Sequence, residues 1–435
     1  MVQTGTSRGA PGGPGSAAVR RQRKRPAQRR RLTRRPLALL LALAFFFTPA
    51  VAFLAGARPQ AIENRALSSL PTLSDGWSFF PKFTTWAVDH LPLRGEAVQA
   101  NAAVSEQVFG EPPPSRSDSG GPIGGSTGSS TGSGKSGAVT YPMVIQGKNG
   151  WLYYGSDTSN LCTPERSIPD TLARLDRLAK AVQSSGRRFV LAIAPDKSTI
   201  YPKKLPDTYV GKSCSEKRRT QFWNALRATP PAGYLDLRGP LEAAQKRAGV
   251  PLYRQTDTHW GPLGAGIYAE RLARTLDPAL LSSTELVRTG TSTRRGDLGN
   301  MIGAPHVDRF ADAQLRRLGV VPVGRASLDL PEVPYSPETF TNRTTGAKLY
   351  APPTLMLGDS FTSASGTALG PLFANVTLLH NNTANLYPQA VASLMASADT
   401  VIYEVVERDV ASGRGGLTSD SSLAAIEKTL AAQPR

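Results

Sequence analysis

The sequence predicts an α/β fold, and two patterns predict it. Short apolar runs read as buried strands: Phe189-Val190-Leu191-Ala192-Ile193-Ala194, Thr354-Leu355-Met356-Leu357, Val376-Thr377-Leu378-Leu379 and Val401-Ile402-Tyr403-Glu404-Val405-Val406. Between them lie stretches with helical periodicity. Ile168–Ser185 puts Leu172, Leu175, Leu178, Ala179 and Val182 on one face, and Leu263–Leu276 does the same with Ile267, Leu272 and Leu276. Strands alternating with helices build a parallel sheet covered on both faces. With 435 residues, 40% of them hydrophobic, the chain can bury one large core or two ordinary ones. A wholly disordered chain and a polytopic membrane protein are excluded.

From the N-terminus, residues 1–35 hold eleven Arg or Lys and no acid, so they supply +11 of the formal net charge of +18. The excess is a property of this tail. Pro36–Ala57 follows, a 22-residue stretch without a charge. A membrane-spanning helix needs about 20 apolar residues, and flanking Arg and Lys hold their end in the cytoplasm. The expectation is a single-pass membrane anchor at 36–57 behind a basic cytoplasmic tail, with residues 58–435 outside the cytoplasm. A cleaved signal peptide is the alternative, because Ala55-Gly56-Ala57 fits a small-x-small cleavage site. On either reading the basic run sets topology, and no nucleic-acid partner is expected. Residues 58–110 form a membrane-proximal segment in which Trp77, Phe79, Phe80, Phe83 and Trp86 point to a short helix. In residues 111–140, twenty of thirty are Gly, Ser or Pro, which predicts a disordered linker. The α/β domain then occupies 141–435, with 280–350, richer in charge and Pro, expected as an irregular cap or insertion. Cys162 and Cys214 are the only cysteines; outside the cytoplasm they read as a disulfide, the alternative being two unrelated buried thiols. Neither belongs to a CxxC or Cys/His pattern, so no metal site is expected.

Two short segments carry chemistry. Asp257-Thr258-His259-Trp260 precedes Gly261-Pro262 and a helix. At a helix entrance the backbone turns, so Asp257 can bond one ring nitrogen of His259 and leave the other as a base. The plainer alternative is a helix-capping Asp beside a surface His. Gly358-Asp359-Ser360-Phe361 directly follows the strand 354–357. A Ser at the carboxyl end of a buried parallel strand stands where α/β sheets place their sites. It needs an adjacent base to act as a nucleophile, and His259 is the candidate. Its alternative is an ordinary turn with Ser360 as a helix cap. Of the other histidines, His90 reads as packing, His306 as a possible groove residue, and His380 has no clear reading.

These segments resemble SGNH hydrolases, whose nucleophile block is Gly-Asp-Ser, and in particular the AlgX/AlgJ branch, in which Asp-x-His precedes the Ser in a permuted order. Collinear blocks agree: Glu63-Asn64-Arg65, Asp89-His90-Leu91-Pro92-Leu93-Arg94, Gly147-Lys148-Asn149-Gly150-Trp151-Leu152-Tyr153, Ala194-Pro195-Asp196-Lys197, Gly296-Asp297-Leu298, Tyr403-Glu404 and Glu407-Arg408. The resemblance implies a three-layer α/β/α SGNH hydrolase-like domain behind the anchor. It implies Ser360 as nucleophile, His259 as general acid/base and Asp257 as its orienter, with Asn300 and Asn381 the candidates for a further oxyanion donor. The implied activity is O-acetylation of an exopolysaccharide or cell-wall glycan through an acetyl-serine, without a cofactor. The implied partners are a polysaccharide acceptor and a membrane-bound O-acyltransferase that supplies acetyl. The rivals are a carbohydrate acetylesterase with the same triad and a non-catalytic polysaccharide-binding protein. In both the transferase and binding readings, Trp260, Phe361 and Tyr201 are the candidate sugar-stacking residues.

Overall fold

The computed structural model describes residues 139–327 and 337–435, together with the helix Phe79–Asp89 and scattered positions between residues 39 and 90. The basic tail, most of the expected anchor and nearly all of the expected linker lie outside the described residues. The chain divides into two compact units, Met1–Ala57 and Arg58–Arg435. In the first, residues 51–54 are helical. No helix among the described residues is long and apolar enough to cross a membrane. In the second unit the expected aromatic helix is present as Phe79–Asp89, where Phe79 stacks on Phe83 one turn later, their ring centroids 5.7 Å apart.

The strands, in chain order, are β1 (Val144–Gln146), β2 (Leu152–Tyr154), β3 (Arg188–Ala194), β4 (Tyr234–Leu235), β5 (Thr284–Arg295), β6 (Val307–Arg317), β7 (Val320–Ser327), β8 (Glu338–Thr344), β9 (Thr354–Gly358), β10 (Asn375–His380) and β11 (Thr400–Val406). Seven form one sheet in the order β4-β3-β11-β9-β10-β8-β7. The first five in that order run parallel, and β8 and β7 continue it antiparallel. The four apolar runs read from the sequence are β3, β9, β10 and β11, side by side in the middle of this sheet.

Alternation along these strands feeds two cores. Val190, Ala192, Met356, Ile402 and Val406 face the helices Pro262–Leu276 and Ser360–Leu369. Phe189, Leu191, Ile193, Leu355, Leu357, Val401 and Val405 face Ile168–Ser184, Lys212–Ala228, Pro388–Ser397 and Asp420–Ala432. Covered on both faces, the parallel strands need continuous apolar runs, which is why they were readable. Helix Ile168–Ser184 starts where Ser167 caps the Asp170 N–H at 3.2 Å with Pro169 in the first turn.

The expectation of an irregular 280–350 segment is corrected. β5 and β6 pair as a long antiparallel hairpin, and β7 and β8 extend the main sheet. The buried residues of β6 are Asp308, Ala311, Ala313, Leu315 and Arg317, so small and charged residues occupy most of the positions where a strand pattern would show large apolar ones. Arg317 is tolerated there because its guanidinium donates to the carbonyls of Leu280, Lys348 and Pro371.

Cys162 and Cys214 form a disulfide, with Cα atoms 5.2 Å apart, tying the helix Ser156–Cys162 to Lys212–Ala228 across 52 residues of chain. Closing a loop of this length stabilises the fold by roughly 3–4 kcal/mol in the chain-entropy treatment. Cys162→Ser with Cys214→Ser should lower the unfolding free energy by about that amount, measured by denaturant titration. Reductant should destabilise the wild type alone.

Candidate active site

The carboxyl ends of β3, β11 and β9 are adjacent, and each delivers a charged or nucleophilic segment to the same edge: Asp196-Lys197, Glu407-Arg408 and Asp359-Ser360. Open α/β sheets place ligands along this edge. Gly358 ends β9 because a Cβ there would overlap the Thr362 side chain, one turn into the next helix. The helix Ser360–Leu369 is then capped by Asp359, whose Oδ1 accepts from the Phe361 N–H at 2.8 Å. Its Oδ2 accepts from the Val406 N–H at 2.8 Å, locking the turn to the end of β11. Ser360 therefore opens this helix on a turn fixed at both carboxylate oxygens. The Phe361 N–H is occupied by Asp359 and so is not available to an oxyanion. Asn381 adjoins the turn, its N–H donating to the Gly358 carbonyl at 2.8 Å, while Asn300 is exposed on the helix Asp297–Met301.

Glu404 supports the turn from below. Fully buried on β11, its Oε2 accepts from the Asp359 N–H at 3.1 Å and the Thr362 hydroxyl at 2.8 Å. Burial, reinforced by the Asp359 charge, pushes the Glu404 carboxyl well above the usual range.

The base arrives on a separate loop. A bridge between Tyr253 and Trp260, with Gly261 N–H donating to Leu252 O at 2.7 Å, closes residues 253–260 into a loop before the helix Pro262–Leu276. Within it, Asp257 Oδ1 accepts from the backbone N–H of His259 at 3.0 Å and from His259 Nδ1 at 2.9 Å. Oδ2 pairs with Arg254 Nη2 at 2.7 Å and accepts from the Asp297 N–H at 3.4 Å. Burial alone would raise the Asp257 carboxyl, but the bonds and charge of His259 and the charge of Arg254 outweigh it and hold it at about 2. A carboxylate can only accept, so in the neutral ring Nδ1 carries the proton and Nε2 the lone pair. Nε2 is buried and has no hydrogen-bond partner among the described residues.

The two segments meet. The His259 ring lies 5.1 Å from the Phe361 ring, centroid to centroid, which sets it beside the residue that follows Ser360. Trp260 packs edge-on against Phe361 at 5.0 Å, and its Nε1 donates to Ser365 Oγ at 2.8 Å. These contacts join the base loop to the helix that Ser360 opens.

The sugar-stacking expectation for Trp260, Phe361 and Tyr201 is corrected. They are 1%, 0% and 7% exposed, and all three belong to the core. Aromatic rings near a candidate site read alike in sequence whether they face a ligand or the interior; here they brace the site. His90 packs as expected, its ring stacked on Trp86 at 4.9 Å. His306 is exposed, and His380 Nδ1 accepts from the Asn382 N–H at 3.3 Å.

Four supporting residues carried no sequence-level role. Arg254 and Asp297 hold Asp257, and Asp297 Oδ1 also accepts from the Thr258 N–H at 2.7 Å. Gly296 is required before Asp297, because a Cβ there would collide with the Thr256 carbonyl. Lys197 and Glu404 complete the set. Three of these four, Asp297, Lys197 and Glu404, lie in blocks singled out above, but their partners are distant in the chain. Asp257, His259 and Asp297 also present three ligating atoms within 4.8 Å of one another. The hydrogen bonds among them account for that closeness.

With this geometry in place, residues 144–330 match the family model described as SGNH hydrolase-like domain, acetyltransferase AlgX. The matched segment includes Asp257 and His259 and ends before the Ser360 block. Among curated relatives, the chain is 32% identical over 131 residues to the probable alginate O-acetylase AlgJ of Pseudomonas syringae pv. tomato, covering 30% of this chain and 32% of the relative. It is 29% identical over 168 residues to the probable alginate O-acetylase AlgJ of Azotobacter vinelandii, covering 37% and 42%. The chain thus spans about a third to two fifths of the curated relatives it matches. Solved structures similar to it include the O-acetyltransferase domain of Pseudomonas putida AlgJ, with 20% identity, TM-score 0.43 and coverage of 66% of this chain and 98% of that one. Another is Bacillus cereus PatB1, with 15% identity, TM-score 0.41 and coverage of 61% and 96%. The protein carries an SGNH hydrolase-like α/β domain. Within that class it is AlgX/AlgJ-like.

Two predictions follow from this geometry. A carboxyl depressed to about 2 stabilises the fold above the ordinary carboxylate range, and the contribution is lost as pH falls towards 2. Asp257→Asn should cost on the order of 2 kcal/mol near neutral pH, with the gap to wild type closing between about pH 4 and 2 in denaturant titrations. Glu404→Gln keeps the acceptor at Asp359 N–H and Thr362, and should cost under about 1 kcal/mol. Glu404→Ala strands both donors and should cost roughly 2 kcal/mol or more by the same measurement.

Proposed function

We propose that this chain is a membrane-anchored, extracytoplasmic O-acetyltransferase that moves acetyl groups onto polysaccharide hydroxyls through an acetyl-serine at Ser360. The observation that carries this reading is the Asp257–His259 pair, with Nε2 left unpartnered and the ring 5.1 Å from that of Phe361, the residue next to Ser360. The names of the curated relatives support the acetyl-transfer chemistry. The charge-free stretch 36–57 behind a basic tail supports the anchor.

In this scheme His259 Nε2 takes the Ser360 proton as Oγ attacks the donor's acetyl carbonyl. Negative charge collects on the carbonyl oxygen, where the Ser360 N–H at the helix N-terminus is the nearest available backbone donor. Collapse expels the donor's leaving group, which recovers the proton from the imidazolium. The acceptor hydroxyl then enters, Nε2 removes its proton, and the acetyl passes to sugar oxygen while Ser360 regains hydrogen. Asp257 stays ionised throughout and supports the imidazolium. The scheme uses no cofactor. Outside the cytoplasm acetyl-CoA is not at hand, so the donor side is a membrane-bound O-acyltransferase that passes acetyl across the membrane.

The acetylesterase reading differs only in the second acceptor, water. The purified full chain, wild type and Ser360→Ala, should be given a small acetyl ester and a panel of oligosaccharides, with intact masses read on protein and sugar. The expected result is acetyl on the wild-type protein and on one sugar, with neither in Ser360→Ala. Asp257→Asn should slow turnover by about 10³- to 10⁴-fold. Acetate release without sugar acetylation would replace the transferase by the esterase. Glycan affinity with no acetyl on protein and no acetate released would sink the catalytic reading.

A further inference from the structure

Lys197 is 2% exposed at the carboxyl end of β3, and its ammonium is spent entirely on the base loop. Nζ donates to the carbonyls of Arg254 at 3.2 Å, Gln255 at 3.1 Å and Asp257 at 2.6 Å. An ammonium has three N–H groups, and here three carbonyls of one turn converge on them. The side chain is backed by the Trp151 and Tyr153 rings, 5.8 and 5.3 Å from Nζ. A loop that turns as sharply as 254–257 must point carbonyls inward, where unmet acceptors are costly. Lys197 removes that cost from outside the loop, at a sequence distance of 57 to 60 residues.

We propose that Lys197 is a positioning residue: its ammonium fixes the backbone of the Asp257–His259 loop and so aims the imidazole at the Ser360 turn. The inference rests on the acyl-transfer reading above. Because the Asp257 carbonyl is one of the three acceptors, displacing it moves the Cα that carries the orienting carboxylate. The Arg254 carbonyl is a second, and Arg254 pairs with the other oxygen of that carboxylate. The charged groups facing Nζ are Asp297, Asp257, Asp157 and Asp308, whose carboxylates favour the ammonium against burial, which works the other way and is the larger effect.

The test uses the purified full chain with a small acetyl ester. Lys197→Met keeps the length and removes all three donors, whereas Lys197→Gln keeps two. Lys197→Met is expected to lower kcat by about 100-fold with KM within about 3-fold, because a misaimed base slows chemistry without altering donor binding. Lys197→Gln should fall between. The low-field proton of His259 Nδ1, read by NMR, should shift or broaden in both. Full kcat in either folded variant, or an unmoved Nδ1 proton, overturns the proposal. If neither variant folds, the residue is a fold determinant only and the proposal fails equally. Ser360→Ala is run alongside: activity surviving there defeats the acyl-transfer reading itself, whereas its loss with full Lys197→Met activity defeats only the positioning role.

Discussion

Everything at this site depends on one hydrogen bond, from His259 Nδ1 to Asp257. An imidazole has two tautomers and a freely turning ring, and either freedom would take the lone pair away from the Ser360 turn. A carboxylate fixed on its other lone pairs removes both. Asp257 is fixed from three directions: by its own loop through the His259 N–H, by Arg254, and by the Asp297 backbone after the β5 strand. The same contacts that orient it also keep it ionised although buried. Orientation and charge state therefore have one cause.

The rest of the carboxyl edge meets a related constraint, that buried charge must be matched. Arg408 pairs with Asp196 at 2.7 Å and reaches Asp157 at 3.5 Å, while Arg219 pairs with Glu407 at 3.1 Å. Glu407 Oε2 also accepts from the Asp196 N–H and the Thr199 hydroxyl. Burial works against the Arg408 charge, and Asp196 and Asp157 more than restore it. Buried pairs of this kind add little net stability over an apolar core, yet breaking one partner is costly. Their effect is to hold the ends of β3 and β11 in a single arrangement; Lys197 follows the first, and the Asp359 turn at the end of β9 is bonded to the second. The disulfide reinforces this: Asp157 and Arg219 lie on the two helices that Cys162 and Cys214 join.

The legible parts of the sequence were those whose physics is local or periodic. Four central strands were readable because burial on both faces demands unbroken apolar runs. Asp257-Thr258-His259 and Gly358-Asp359-Ser360 are readable because carboxylate and imidazole lie two residues apart, and because the Gly-Asp-Ser turn ends a strand. The hairpin β5–β6 is not, since its buried residues include Ala, an Asp308 that accepts from Thr256, and an Arg317 that donates to remote carbonyls. Trp260, Phe361 and Tyr201 stand out in the sequence yet face the interior; aromatic character does not say which way a ring faces. Lys197 and Glu404 stood in recognisable blocks, yet their roles are long-range: Lys197 acts on residues 57 to 60 positions away, and Glu404 on a turn 42 to 45 positions back.

The permuted order of the motifs, with Asp-x-His ahead of the Ser, is no obstacle to their meeting. The Asp257–His259 loop precedes a helix, Pro262–Leu276, that covers one sheet face, and Ser360 opens a second helix, Ser360–Leu369, on the same face. These two helices share a packed boundary, and Trp260 supplies it by wedging against Phe361 and bonding Ser365. The strands between them in sequence, β5 to β8, are accommodated at the sheet's far edge or as a separate hairpin, and none intrudes between β11 and β9. Chain order is thereby decoupled from site geometry: an α/β sheet requires only that the right strand ends be neighbours. The buried aromatic wedge, and not a sugar platform, is what joins the two helices here.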